Sequence, residues 1–137
     1  MGLRVTRLFG DEAGETHFEE IELETSTVSS TLPVDVTDLP LTGAQWVEYP
    51  SGRPEIMPGL HESPTRHLHV CISGRFEVTT TSGSARTFEP GDVLFCDDRG
   101  SRGHVTKEVG DERRVALVLG VTDSWMPRPQ SPPAVRS

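Results

Sequence analysis

The chain has 137 residues, of which 34% are hydrophobic and 25% charged, proportions typical of one globular domain and not of a disordered or fibrous chain. Its 21 acidic residues against 13 basic ones give a formal charge of −8, which argues against nucleic acid and against an anionic membrane as partners. No stretch reaches the roughly 18 apolar residues of a membrane span, and the N-terminus lacks an apolar signal-peptide core, so a cytoplasmic protein is expected.

The first 43 residues are expected to form edge strands followed by a connection. Residues 17–23 (H-F-E-E-I-E-L) have the pattern of a half-buried strand, and residues 1–24 together look like strands added to the edge of a larger sheet. Residues 25–31 are Ser and Thr with a single Val, and Pro33 and Pro40 follow them. This composition is typical of a surface connection.

Residues 44–121 have the pattern of short strands separated by turns. Residues 45–49 alternate, and within 66–72 His67, His69 and Cys71 share one face while the apolar residues between them share the other. An all-β sandwich or barrel over 44–121 is therefore predicted. Residues 122–137 are assigned to a disordered tail, since four prolines lie among Arg and Ser from residue 127 onward. Within residues 44–121, in addition to the segments 45–49 and 66–72, five further strands are predicted, at 76–81, 85–89, 93–96, 104–108 and 113–121.

The two cysteines, Cys71 and Cys96, each lie inside an apolar run. Small buried thiols explain them better than a disulfide framework, which agrees with a reducing compartment.

Four of the five histidines lie in the 44–121 region: His61, His67, His69 and His104. His67 and His69 are two residues apart on a strand, so both rings project to the same face. His61 and His104 lie at junctions of loop and strand, where the mouth of a barrel brings distant residues together. Buried imidazoles need a partner, which is a metal, a carboxylate or water. Three or four converging imidazoles suit a transition metal better than Mg or Ca.

At this point the sequence resembles the cupins, jelly-roll barrels that often hold one metal. Residues 88–93 (F-E-P-G-D-V), a later His104 and an upstream His with an S-G turn resemble the two cupin motifs. The likeness is closest to small stand-alone bacterial cupins and covers about residues 1–121. The matching stretches are 14–18 (G-E-T-H-F), 60–67 (L-H-E-S-P-T-R-H), 73–74 (S-G), 90–92 (P-G-D) and 98–104 (D-R-G-S-R-G-H).

The resemblance implies a cupin-type jelly roll in which His61, His67 and His104 hold one divalent transition metal (Zn, Ni, Fe, Cu or Mn). His67 lies seven residues before Gly74, where typical cupins have their carboxylate ligand. His69 is a possible fourth ligand. For His17 two roles stay open, an approach to the metal from the N-terminal strand and a place at the surface. His69 or Tyr49 would move a proton.

Three acidic or basic neighbours of these histidines receive expectations of their own. Strand parity directs Arg66 outward, toward the surface or a dimer partner. Asp97 and Asp98 are expected to be solvated loop acids, the alternative being that they orient His104.

Three functions stay open. The first is a metal-dependent enzyme acting on a small organic molecule by isomerase, cyclase, lyase or oxygenase chemistry. The second is a metal-free cyclase or isomerase of natural-product biosynthesis, in which the same histidines are acid/base groups. The third is a small-ligand-binding protein without turnover. Cupins commonly dimerise through edge strands, so a homodimer through residues 1–24 is also expected.

Overall fold

The structure is a computed structural model, which describes residues 2–52, 57 and 59–127. Within these ranges the chain forms eleven strands and no helix, which confirms the predicted all-β class. A helix long and apolar enough to cross a membrane is correspondingly absent from the described residues. The strands are β1 (Gly2–Gly10), β2 (Thr16–Glu24), β3 (Ser26–Thr27), β4 (Asp35–Val36), β5 (Leu41–Glu48), β6 (His67–Ser73), β7 (Arg75–Thr80), β8 (Ala85–Phe88), β9 (Val93–Asp97), β10 (His104–Val109) and β11 (Val115–Val121).

Two sheets face each other across the main core. The larger sheet has six strands in the order β2-β1-β9-β6-β11-β5, all antiparallel except the β1–β9 pair. The smaller sheet has the order β10-β7-β8, and β3 pairs with β4 separately. This sandwich is compatible with a jelly roll. In the described part of the chain the strands hydrogen-bond as separate sheets and not as one closed barrel.

The core between the sheets is built from apolar side chains that both sheets contribute. Both cysteines belong to it as buried free thiols, as their apolar surroundings in the sequence indicate. Burial of these side chains is the main favourable term that holds the two layers together. The buried members of this cluster are Leu8, Cys71, Phe76, Val78, Phe88, Leu94 and Cys96.

β6 divides its side chains between two environments, as the alternation of its sequence predicts. Leu68 is buried on the outer face of the large sheet beside Val5 and Phe95, in a second apolar cluster. Cys71 belongs to the cluster between the sheets. His67 pairs across the strands with Cys96, and His69 pairs with Leu94, so both histidines share the inner face.

The N-terminal strands extend the large sheet beyond β9. β1 pairs with both β9 and β2, so β2 alone of these two strands forms the sheet edge. The following connection contains the small β3–β4 hairpin, which the Ser- and Thr-rich composition does not predict.

The expectation that Arg66 lies at the surface is wrong. Arg66 is 6% exposed, and its guanidinium donates to Asp97 (Nε–Oδ1, 2.7 Å) and to the carbonyls of Thr122 (2.8 Å) and Trp125 (2.6 Å). Parity correctly directs it to the outer face, but the chain that leaves β11 folds back and covers it. Asp97 also accepts from Arg7 (Nη2–Oδ2, 2.6 Å), so Asp97 is not a solvated loop acid.

The assignment of 122–137 to a disordered tail is correspondingly wrong at its start. Trp125 packs its ring 5.1 Å from that of Phe95, between centroids, and its backbone N–H donates to the Thr122 carbonyl. The residues just after β11 are therefore part of the packed structure. Residues 128–137, which hold most of the predicted tail, lie outside the described residues.

Candidate functional site

One cavity of about 330 Å³ is lined by His61, His67, His69 and His104. His67 and His69 reach it from the inner face of β6, and His104 from the start of β10. The structure therefore brings together the histidines that the sequence analysis singled out in the 44–121 region. His17 does not line the cavity, because its Nε2 lies 2.7 Å from Asp11 Oδ2 at the turn between β1 and β2.

His61 reaches the cavity because its backbone pairs with that of His104. The two residues exchange both N–H···O bonds (3.0 and 2.9 Å), and their ring centroids lie 4.6 Å apart. This approach requires a glycine at residue 103. Gly103 has a φ of 87°, and a Cβ there would lie 2.4 Å from the His61 carbonyl.

The rest of the cavity wall is mainly apolar. Phe76, Val78, Leu94 and Cys96 come from the core between the sheets, and the exposed Met57 lies on the open side. A concave, mostly apolar space with a few polar groups in it is typical of a small-molecule site.

Asp98 is completely buried (0% exposed) and holds His104 in one orientation. Its Oδ2 lies 2.6 Å from His104 Nδ1, and its Oδ1 accepts the Ser63 backbone N–H (3.0 Å). Burial opposes ionisation of Asp98, but the hydrogen bonds from His104 and Ser63 outweigh it and hold its pKa below the ordinary value. The ionised carboxylate can only accept, so His104 Nδ1 donates, and the lone pair of the neutral imidazole is therefore on Nε2.

His61 and His67 also carry their proton on Nδ1. His61 Nδ1 lies 3.2 Å from the Gly59 carbonyl, and His67 Nδ1 lies 3.0 Å from the Thr65 carbonyl. A carbonyl only accepts, so each Nδ1 carries the proton and each Nε2 keeps its lone pair. Desolvation lowers the pKa of both imidazoles, which favours their neutral form.

Neutral imidazoles with the Nδ1–H engaged are the usual form of metal-bound histidine. The donor chemistry of His61, His67 and His104 therefore suits a divalent transition ion. As they stand, the described residues contain no group of three or more His, Cys, Asp or Glu side chains that could hold a metal ion. Metal binding by these three histidines stays a prediction.

Arg114 forms a hydrogen bond with the imidazole of His69, the residue that was expected to move a proton. The guanidinium is 6% exposed and lies 3.0 Å from His69 Nε2 through its Nη1. Arginine only donates, so His69 Nε2 accepts and its Nδ1 carries the proton. That Nδ1 has no hydrogen-bond partner in the described part of the protein. Desolvation, reinforced by the charge of Arg114, lowers the pKa of His69 to about 3.

Arg114 also links Glu108 and Tyr49 to the cavity. Its Nε and Nη2 donate to the two carboxylate oxygens of Glu108 (2.7 and 2.9 Å), and its Cζ lies 3.5 Å from the centre of the Tyr49 ring. Burial raises the pKa of Tyr49, so its hydroxyl keeps its proton at neutral pH. Tyr49 can therefore donate a hydrogen bond to a ligand in the cavity, whereas proton transfer at His69 Nε2 requires Arg114 to move.

The expectation that Asp98 is a solvated loop acid is wrong, because Asp98 is buried and takes the alternative role of orienting His104. The sequence analysis missed the roles of Glu108 and Arg114. For Asp98 a signal exists, since it lies six residues before His104 within the loop that resembles a cupin motif. For the Glu108–Arg114 pair the signal is the turn predicted at 110–112, which brings the end of β10 close to the start of β11. Neither signal reports burial, and burial is what makes these charges part of the site.

A scan of the chain against models of known protein families matches none, and a search of curated proteins likewise finds no match.

Proposed function

We propose that the chain is an enzyme that moves a proton on a small organic molecule bound in the histidine cavity, by isomerase, cyclase or lyase chemistry. The observation that supports this most directly is the buried Asp98–His104 pair, with an Nδ1–Oδ2 distance of 2.6 Å. A carboxylate behind an imidazole fixes its tautomer and stabilises the imidazolium that forms when the imidazole takes a proton. His104 is therefore the general base of the proposal.

In this mechanism His104 Nε2 takes a proton from carbon next to a carbonyl group of the substrate. The electron pair of the broken C–H bond moves to the carbonyl oxygen and gives an enolate. Tyr49 is the donor assigned to that oxygen, because its hydroxyl keeps its proton. The imidazolium then returns the proton to the same or another carbon, so the reaction needs no oxidant or reductant.

The test is deuterium exchange at the methyl group of acetophenone in D₂O, followed by proton NMR. The protein is expected to accelerate the exchange, and His104→Ala is expected to reduce the acceleration by about 10²–10⁴-fold. His17→Ala is the matched control, because His17 lies outside the cavity. Equal exchange rates for the protein and for His104→Ala would contradict the proposal. Binding of acetophenone without exchange would favour the ligand-binding protein of the sequence analysis.

A metal-dependent form of the enzyme is the second candidate. The observation that favours it is the shared tautomer of three cavity histidines, which leaves each Nε2 available. His61, His67 and His104 would hold one divalent transition ion (Zn, Ni, Fe, Cu or Mn). When bound, the ion would act as a Lewis acid on a substrate oxygen, and a redox-active ion would permit oxygenation.

Elemental analysis separates the two candidates. The metal-dependent form predicts one ion per purified chain, its loss in His67→Ala, and loss of exchange after treatment with a chelator. The metal-free form predicts an unchanged exchange rate after the chelator. Substoichiometric metal, together with activity that resists chelation, would overturn the second candidate.

We also propose membership of the cupins, a cytoplasmic location and a homodimer. The ordered motifs, the facing sheets and the histidines on the inner face support the first, and the buried free thiols support the second. For the dimer the candidate edges are β2, which carries Glu20 and Glu24, and β5, where Trp46 is 60% exposed. A monomeric mass in solution would contradict the dimer.

A further inference from the structure

We propose that the histidine cavity takes an uncharged molecule with a largely apolar body, which presents a carbonyl or hydroxyl oxygen to the histidines. The inference rests on the proposed function only in taking this cavity as the substrate site. Its basis is the way in which the charged groups of the cavity are paired. Arg114 and Asp98 are each engaged by a partner within the chain, so neither is left to balance the charge of a ligand.

Among the residues that the structure describes, Arg114 is the one Lys or Arg side chain that lines the cavity, and Glu108 balances its charge. Two N–H groups face the two carboxylate oxygens at 2.7 and 2.9 Å, and both side chains are largely buried. The guanidinium also lies over the rings of Tyr49 and Phe76, with its Cζ 3.5 and 4.5 Å from their centres. A ligand carboxylate could take over the bidentate pairing with Arg114 only by displacing Glu108, which is costly because it leaves a buried carboxylate unpaired.

The buried carboxylate behind the histidines is equally engaged. Asp98 uses Oδ2 for His104 and Oδ1 for the Ser63 backbone N–H, and it is 0% exposed. A ligand ammonium group inside the cavity would therefore find no free buried carboxylate in the described wall.

The open side of the cavity disfavours anions further. Glu62 lines this side and is exposed, and its Oε2 accepts the Gly100 backbone N–H (2.8 Å). This negative charge adds to the formal charge of −8 on the chain, and both repel an approaching anion. The apolar walls and the volume of about 330 Å³ suit a single ring or a short branched chain.

Three probes of similar shape test this inference on the wild-type protein: acetophenone, benzoate and benzylamine, which are neutral, anionic and cationic at neutral pH. Binding is measured by NMR titration of the resonances of cavity residues such as Val78 and Cys96. The dissociation constants of both charged probes are expected to exceed that of acetophenone at least tenfold, or about 1.4 kcal/mol. Equal or tighter binding of either charged probe would overturn the inference, as would failure of acetophenone to shift these resonances up to its solubility limit.

A variant then tests whether Glu108 is what excludes anions. Glu108→Gln leaves Arg114 uncompensated, so the affinity for benzoate is expected to rise at least tenfold. Glu62→Gln is the matched control, because it removes one negative charge on the open side and leaves the Arg114 pair intact; less than a threefold change is expected. An unchanged benzoate affinity in a folded Glu108→Gln protein would overturn the charge argument. If that variant does not fold, the wild-type comparison decides alone.

Failure of this inference and failure of the proposed function are distinguishable. Preferential binding of acetophenone without deuterium exchange would contradict proton transfer and leave the substrate class standing. Preferential binding of benzoate, together with exchange that depends on His104, would overturn the substrate class and leave proton transfer standing.

Discussion

The replacement Asp98→Asn reverses the tautomer of His104, and this is the most specific consequence of the site geometry. The amide keeps one acceptor oxygen, which Ser63 N–H requires, so the new NH₂ group faces His104 Nδ1. Two donors cannot share one hydrogen bond, and His104 therefore has to move its proton from Nδ1 to Nε2. The lone pair that faces the cavity is lost, and with it the general base or the metal ligand.

The magnitude of the effect on stability follows from the contacts of Asp98. Hydrogen bonds to a charged group contribute about 1.5–3 kcal/mol each, and the amide replaces both of them by bonds between neutral groups, which contribute about 0.5–1.5 kcal/mol each. The free energy of unfolding is therefore expected to fall by about 1.5–3 kcal/mol. For a domain of this size that corresponds to a decrease in Tm of roughly 5–12 °C.

The effect also depends on pH. The pKa of Asp98 is depressed in the folded state, so its contribution is present above the unfolded pKa and is lost as the pH falls through the folded pKa. The difference in unfolding free energy between the wild type and Asp98→Asn should accordingly shrink below about pH 4. Urea denaturation at a series of pH values measures it.

Two observations would refute this reasoning. One is a ¹⁵N NMR spectrum in which His104 keeps its proton on Nδ1 in the variant. The other is a stability difference between the two proteins that stays the same from pH 7 to pH 3. A full rate of acetophenone exchange in Asp98→Asn would separately contradict the assignment of His104 as general base.

Three further predictions concern two substitutions and the reactivity of one thiol. Arg114→Met should lower the free energy of unfolding by about 3–5 kcal/mol, because Glu108 stays buried without a partner, whereas the double change to Met at both positions should restore much of that loss in urea denaturation. Gly103→Ala should lower it by about 2 kcal/mol or more and alter the NMR resonances of His61, since the new Cβ meets the His61 carbonyl at a positive φ; an unchanged Tm would contradict this. Burial raises the pKa of Cys96 to about 12, so it should resist a thiol reagent at neutral pH in the folded protein and react after denaturation, and rapid reaction of the folded protein would show the burial to be wrong.

The features that could be predicted from the sequence are those governed by local periodicity. Alternation along β6 is sufficient to put His67 and His69 on one face, because successive strand residues project to opposite sides. The all-β class follows in the same way from short alternating segments separated by glycine turns. The prediction that His61 and His104 lie close together required the resemblance as well, since no periodicity relates residues 43 positions apart.

The features that could not be predicted depend on contacts between segments distant in the chain. Arg66 has the parity of a surface residue, and it is buried because residues 122–125 return across it. Asp98 follows Asp97 at the end of β9, yet the Asp97 carboxylate faces the outer-face arginines and the Asp98 carboxylate faces His104. The sequence gives no reason to expect different surroundings for Asp97 and Asp98, because the difference depends on the path of the chain after β9.

The position of Arg66 next to His67 gives the C-terminal segment an influence on the cavity. Arg66 holds the carbonyls of Thr122 and Trp125, and the adjoining His67 points to the opposite side of the same strand. A chain shortened to end at Val121 would lose both acceptors and leave a buried guanidinium with fewer partners. Any resulting shift of Arg66 would also move His67, the next residue in the chain. Removal of the C-terminal segment is therefore expected to change the position of an imidazole in the cavity.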